Sequence, residues 1–392
     1  MQFCGIICEF NPFHNGHKYI IEQAKKITNE TIVCLMSGNF VQRGEPAFQE
    51  KYVRAKTAIK NGADIVLELP TIFACSNAET FAYGAVKTFQ AMNISHLAFG
   101  IENTSIDTLQ KIAEIKYNNS LSFQNCFKNE IENGINFNTA MKRAISQEFE
   151  NESVLEVLSK PNNILAIEYL TAIKKLGSKI KPLAIPRVDN GYNSITEKDK
   201  FLSASGIRER LFNEEDVSNF IPEQINKNDI FDRSKLERFE TLVLHTIRTL
   251  SAKKLALTYD YNEGIEYRIK TLADSTSDLN ELTSKVSTPR YRESRIKKLL
   301  IYPLLGISKS KASLAKKIKP YAKVLSIAKN QKEILSAVSK SKINLIVTNK
   351  DYENLSASQK QIMDIDLNAS NIYNLSIKSQ NNNDKKTGTL FI

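Results

Sequence analysis

The chain opens with FCGIICEFNPFHNGHKYII, Phe3 to Ile21. Phe3 to Cys8 is a short apolar run. The residues after Gly16 have helical spacing, with Tyr19, Ile20, Ala24 and Ile27 on one face. Between the two lies NPFHNGH, Asn11 to His17, which holds two of the protein's four histidines. A strand that turns sharply into a helix is the start of a βα unit. In an open parallel sheet, ligands bind beyond the carboxyl ends of the strands, so this turn is expected at the mouth of a site.

The same alternation continues downstream. Thr31–Met36, Asp64–Leu69 and His96–Phe99 read as further buried strands, and Gly16–Ile27, Gln49–Asn61 and Ala78–Met92 as the helices between them. A helical stretch from Ile106 to Lys175 precedes a returning strand at Ile180–Ile185, and Ser203–Phe212 begins another helix with a serine cap. The pattern predicts an α/β fold: a Rossmann-like parallel sheet with helical insertions. The polar stretch Ile221–Asp232 is the best linker. It divides a domain at 1–220 from a smaller, basic, mostly helical α/β domain at 233–392, with strand-like runs at Ala322–Ile327 and Ile343–Val347. The tail QNNNDKKT, Gln380–Thr387, reads as a loop.

With 392 residues, 42% of them hydrophobic, the chain can bury a large core. Its apolar runs are far shorter than the roughly 18 residues that span a bilayer, so no membrane span is expected. The opening run lacks a basic leader and is interrupted by Glu9, which favours a cytoplasmic protein over a secreted one. Cys4, Cys8, Cys34, Cys75 and Cys126 contain no CxxC pair and mostly sit in apolar runs; they read as buried, reduced thiols. The net charge is +11, and Lys285–Lys323, with twelve Lys or Arg against Glu293, accounts for all of it. Such a concentrated field attracts a polyanion such as tRNA, the bland alternative being a solvated helix face.

Gly16 permits close approach of a phosphate, the helix start offers free N–H groups, and His14 and His17 add two side-chain donors. Together they suit a triphosphate. Two other readings compete: a metal pair, for which no third ligand lies close in sequence, and an ordinary turn.

NPFHNGH is followed in order by SGNFVQRGEPA (Ser37–Ala47), GADIVLELP (Gly62–Pro70), PNNILAIEYL (Pro161–Leu170) and SASGIR (Ser203–Arg208). HNGH resembles the HxGH signature of the nucleotidylyltransferase superfamily. The ordered set resembles the bacterial tRNA(Met) cytidine acetate ligase family. That resemblance implies a sheet of the nucleotidylyltransferase type and an ATP-dependent ligase. Acetate would be activated as acetyl-adenylate, and the acetyl group passed to N4 of the wobble cytidine of elongator tRNA(Met). No protein partner is implied, and Mg2+ is expected with the triphosphate, though no carboxylate cage for it can be named.

By position in the family pattern, His14 and His17 are catalytic. Ile7, Cys8, Glu9, Phe10, Asn11, Pro12, Phe13, Asn15 and Gly16 would line ATP with them, joined by Gly100, Arg187 in IPRVDNGYN, and Asn162 or Asn163. Ser203, Ser205 and Arg208 would hold the outer phosphates. Gly38, Asn39, Gln42 and Arg43 lie in a lid or wall near acetate, its glycines permitting bending, and Arg290, Arg292, Arg295, Lys297 and Lys298 would bind tRNA. Glu9 either contacts the nucleoside or caps a strand. Lys51 and Arg54 point to the site or to solvent, Asp64 begins a strand, and His96 and His245 are structural. Two further functions stay open: a small-molecule adenylyltransferase or synthetase of the same fold, and a non-catalytic ATP-sensing tRNA-binding protein.

Overall fold

The computed structural model describes residues 1–149, 154–187, 201–222, 234–329, 332–377, 384–385 and 387–392. Five parallel strands make the body of one sheet. They are β1 (Phe3–Cys8), β2 (Thr31–Ser37), β3 (Ile65–Leu69), β4 (His96–Ile101) and β5 (Lys181–Pro186), in the spatial order β5-β4-β1-β2-β3. All five match runs predicted from the sequence.

Alternate residues of these strands feed two apolar layers, as the pleat requires. Cys4, Ile6, Ile32, Cys34 and Val66 face one, where Ile21 and Ala24 of the helix Asn15–Thr28 cover them. Phe3, Val33, Leu35 and Leu67 face the other, under Phe81, Ala85 and Phe89 of the helix Ala78–Ala91. The expected helical face is corrected in one respect: Ile27 is exposed, and Ile21 takes its place in the core. Cys4, Cys8, Cys34 and Cys75 are buried and in no disulfide, as anticipated, whereas Cys126 is only half-buried.

Strand order reverses between β1 and β4. The loops leaving their carboxyl ends diverge there and open a crevice, the usual ligand position in such sheets.

The late strands depart from expectation. β6 (Tyr321–Ile327) pairs antiparallel with β3, placing Val324 opposite Leu67; β7 (Asn344–Ile346) and β8 (Leu390–Phe391) both pair with β6. They extend the N-terminal sheet rather than forming a separate small one, because every residue of β6 is buried against the existing core. One apolar cluster runs from Phe3 to Tyr373, and Phe40 packs on both Phe239 and Tyr373. Apart from Ile221 and Pro222, the linker candidate lies outside the described residues. Among the described residues, no helix is long and apolar enough to cross a membrane.

Candidate functional site

His14 is the N-cap of the helix Asn15–Thr28, and His17 is its third residue. The Gly16 N–H donates to His14 Nδ1 at 3.0 Å, and the His14 N–H donates to His17 Nδ1 at 3.2 Å. This is a capping box with imidazoles in place of the usual hydroxyl and carboxylate. It fixes the tautomer: with each Nδ1 accepting, the proton of the neutral ring sits on Nε2. The rings stack with centroids 3.7 Å apart, and Phe10 packs edge-on against His17 at 5.0 Å. Burial, with the nearby Arg187 charge, lowers the His14 pKa to about 3. Burial and then the charges of His14 and Arg187 push His17 well below the ordinary range. The pair therefore presents two neutral N–H donors next to a helix N-terminus, an arrangement suited to an anion.

These rings line a cavity of 1040 Å³ at the β1/β4 crevice. Ile7, Cys8, Glu9, Phe10, Asn11 and Gly16 line it with them, as do Gly100, Asn162, Arg187, Ser203, Ser205, Arg208, Gln42 and Arg43. Six expected positions do not. Pro12 and Phe13 are buried behind the turn, and Asn15 is turned outward, its Nδ2 donating to the Asn219 carbonyl at 2.9 Å. Asn163 is buried, bonded to the Glu102 backbone and the Val157 carbonyl, whereas Asn162 faces the cavity and donates to the Glu102 carboxylate. Asn39 caps the helix Lys51–Lys60 by accepting the Lys51 N–H at 2.9 Å. Gly38 has an ordinary backbone conformation; the Glu68 carboxylate occupies the place of a Cβ, so sterics rather than bending require glycine there.

Gly100 leaves room for the stem of Arg187, whose Nη1 lies 3.8 Å from Glu102 Oε1. Arg187 ends the described part of IPRVDNGYN; the rest lies outside the described residues. Ser203 caps its helix by accepting the Gly206 N–H at 3.2 Å, and Arg208 Nη1 donates to the Asn11 carbonyl at 2.6 Å. Arg208 thereby links the second motif to the first.

The stretch Ser37–Phe48 is a folded wall. Phe40 and Pro46 bridge, Val41 N–H donates to the Glu45 carbonyl, and Gly44 takes φ of 76° where the chain crosses Lys298. Glu9 accepts the Gln42 N–H at 2.8 Å, so it fastens the wall to β1; burial raises its pKa. Arg54 lies beneath, fully buried, and donates to the carbonyls of Glu9, Ser37, Gly38 and Gln49. Lys51 is equally buried against Glu68 and Asp384. Neither cation reaches the cavity or solvent. His96 Nδ1 lies 2.9 Å from Glu30 and Asp64 accepts the Ile32 N–H, both structural contacts.

The basic segment lines the same cavity: Arg290, Arg292, Arg295, Lys297 and Lys298 all border it. Acids that sequence reasoning missed hold several of them. Asp260 receives Arg295 at 3.0 Å, Glu263 receives Arg290 at 2.7 Å, and Glu45 receives Lys297 at 2.7 Å. Lys298 has no ion-pair or hydrogen-bond partner among the described residues, and burial lowers its pKa. Also among the described residues, no three His, Cys, Asp or Glu side chains converge on a cation position.

A family model described as HIGH Nucleotidyl Transferase matches residues 1–388. A Thermoanaerobacter sp. (strain X514) protein named tRNA(Met) cytidine acetate ligase is 36% identical over 97% of this chain and 96% of its own length. One of the same name from Clostridium tetani is 38% identical over 86% and 88%. The crystal structure of apo Thermotoga maritima TmcAL superposes over 100% of both chains with a TM-score of 0.90 at 28% identity, and TmcAL bound with alpha-thio ATP superposes with a TM-score of 0.88 at 29% identity, again over 100% of both. The fold is that of a nucleotidyltransferase, and the chain belongs to the HIGH nucleotidyl transferase family and, within it, to the tRNA(Met) cytidine acetate ligases.

Proposed function

We propose that this protein is a cytoplasmic, ATP-dependent ligase that acetylates N4 of the wobble cytidine in elongator tRNA(Met). The observation that carries the reading is the shared cavity: two neutral Nε2–H donors at a helix N-terminus on one side, five Lys or Arg of the basic segment on the other. In the first step an acetate oxygen attacks the α-phosphorus of ATP and the bond to the bridging oxygen breaks, releasing pyrophosphate. Negative charge grows on the phosphoryl oxygens, where His14 and His17 donate without reorganising. Arg208 and Arg187 line the same cavity and neutralise the outer phosphates.

In the second step the cytidine amine attacks the acetyl carbon. The bond to AMP breaks, and the amine loses a proton as N4-acetylcytidine forms. The folded Ser37–Phe48 wall shields the mixed anhydride from water. Association with tRNA(Met), rather than another polyanion, follows the names of the relatives. Incubating tRNA with protein, ATP and labelled acetate, then analysing nucleosides by mass spectrometry, tests the proposal. Label in N4-acetylcytidine is the expected result; acetate-dependent pyrophosphate release with unmodified tRNA would favour a small-molecule synthetase.

A further inference from the structure

Phe137 is the first residue of the helix Phe137–Glu148, borders the cavity, and is 55% exposed. The ring packs against Phe127 in a T-shaped contact, centroids 5.2 Å apart at 77°. A single exposed phenylalanine is commonplace. This one has cations for neighbours. Lys142, on the same helix, borders the cavity with no ion-pair partner among the described residues; burial and the nearby Arg292 charge lower its pKa. Arg292 reaches across from the basic segment and donates to Thr139 at 3.4 Å, and Arg290 stands beside it on the rim.

An anchored, exposed aromatic ring flanked by cations is how proteins hold an unstacked base with its phosphates. We propose that Phe137 is a stacking platform for a nucleobase of the RNA substrate, with Lys142 and Arg292 taking the adjoining phosphates. The helical insertion then forms half of the RNA entrance, opposite the basic segment. This inference rests on the tRNA-modifying reading above.

The test is steady-state acetylation of a tRNA(Met) transcript by Phe137→Ala, Phe137→Leu and Phe137→Trp. The Ala and Leu variants should raise KM for tRNA about tenfold, the loss expected of one base–aromatic stack, and Trp should restore it. The KM for ATP should stay within about twofold in all three, a split that a merely structural side chain would not produce. Wild-type KM for tRNA in Phe137→Ala, or rescue by Leu as complete as by Trp, overturns the inference while leaving the parent reading intact. A rise in the ATP KM alone assigns the platform to adenine and also overturns it. If wild-type protein leaves the transcript unmodified, both fall.

Discussion

Asp384 Oδ2 accepts a hydrogen bond from Lys51 Nζ at 2.7 Å, joining the C-terminal tail to the helix under the cavity wall. Both are buried, as are Glu68 at 2.8 Å from Lys51 and Lys323 at 2.8 Å from the other Asp384 oxygen. Burial by itself would raise the Asp384 pKa, but Lys51 and Lys323 outweigh it and hold the carboxyl well below the usual range. Asp384→Asn leaves two buried ammonium groups facing one carboxylate. Loss of about 3–5 kcal/mol of stability is expected. Denaturant titration measures it, and a midpoint equal to wild type would refute the account.

Stability should also respond to pH through His14. Its folded pKa, about 3, lies below its ordinary value of 6.5. Between those values the unfolded chain binds the extra proton, so this contribution is complete above the unfolded value and is lost as pH falls. From about pH 6.5 to pH 5 the loss attributable to His14 is roughly 2 kcal/mol. His14→Asn keeps a cap acceptor but does not titrate. Its stability should therefore fall less steeply than wild type over that window; parallel curves would rule the assignment out.

For His17→Ala the expected effect is twofold. Removing one half of the capping box costs about 1 kcal/mol of stability, leaving the fold intact. Acetate-dependent ATP–pyrophosphate exchange should drop by about 10² or more, as with removal of a single oxyanion donor. Exchange at the wild-type rate would show that the ring does not touch the reacting phosphate.

Arg54→Lys should be damaging although the charge is kept. A lysine cannot serve the four carbonyls that Arg54 joins, those of Glu9, Ser37, Gly38 and Gln49, and would leave buried acceptors unpaired. A loss of about 2–3 kcal/mol follows from the desolvated groups. Thermal unfolding that coincides with wild type would exclude the bracing role.

Neutralising Arg290, Arg292, Arg295, Lys297 and Lys298 together should abolish tRNA retention on filters. A partial set should lower the slope of log affinity against log salt by roughly 0.7 per phosphate contact removed. An unchanged slope would place the RNA elsewhere.

The fold was legible where chemistry is local. Phe3–Cys8 reads as a strand because apolar residues cluster between turn signals, and NPFHNGH reads as a site because strand, glycine and helix start coincide. Asn162 and Asn163 could not be separated, since adjacent helical residues differ only in rotation about an axis that packing sets. Lys51, Arg54 and Lys323 resemble surface cations in any local pattern; their acceptors lie on other elements, Asp384 more than 300 positions from Lys51. The antiparallel pairing of β6 with β3 was invisible for the same reason. Periodicity announces a strand but not its neighbour.

The late arrival of β6 and Asp384 has a consequence during synthesis. The N-terminal half leaves the ribosome with the β3 edge bare and Lys51 short of one counter-charge. That edge stays open until β6, Tyr321–Ile327, has been made. Interrupted products would carry an open, apolar β3 edge, a ready target for chaperones and quality-control proteases.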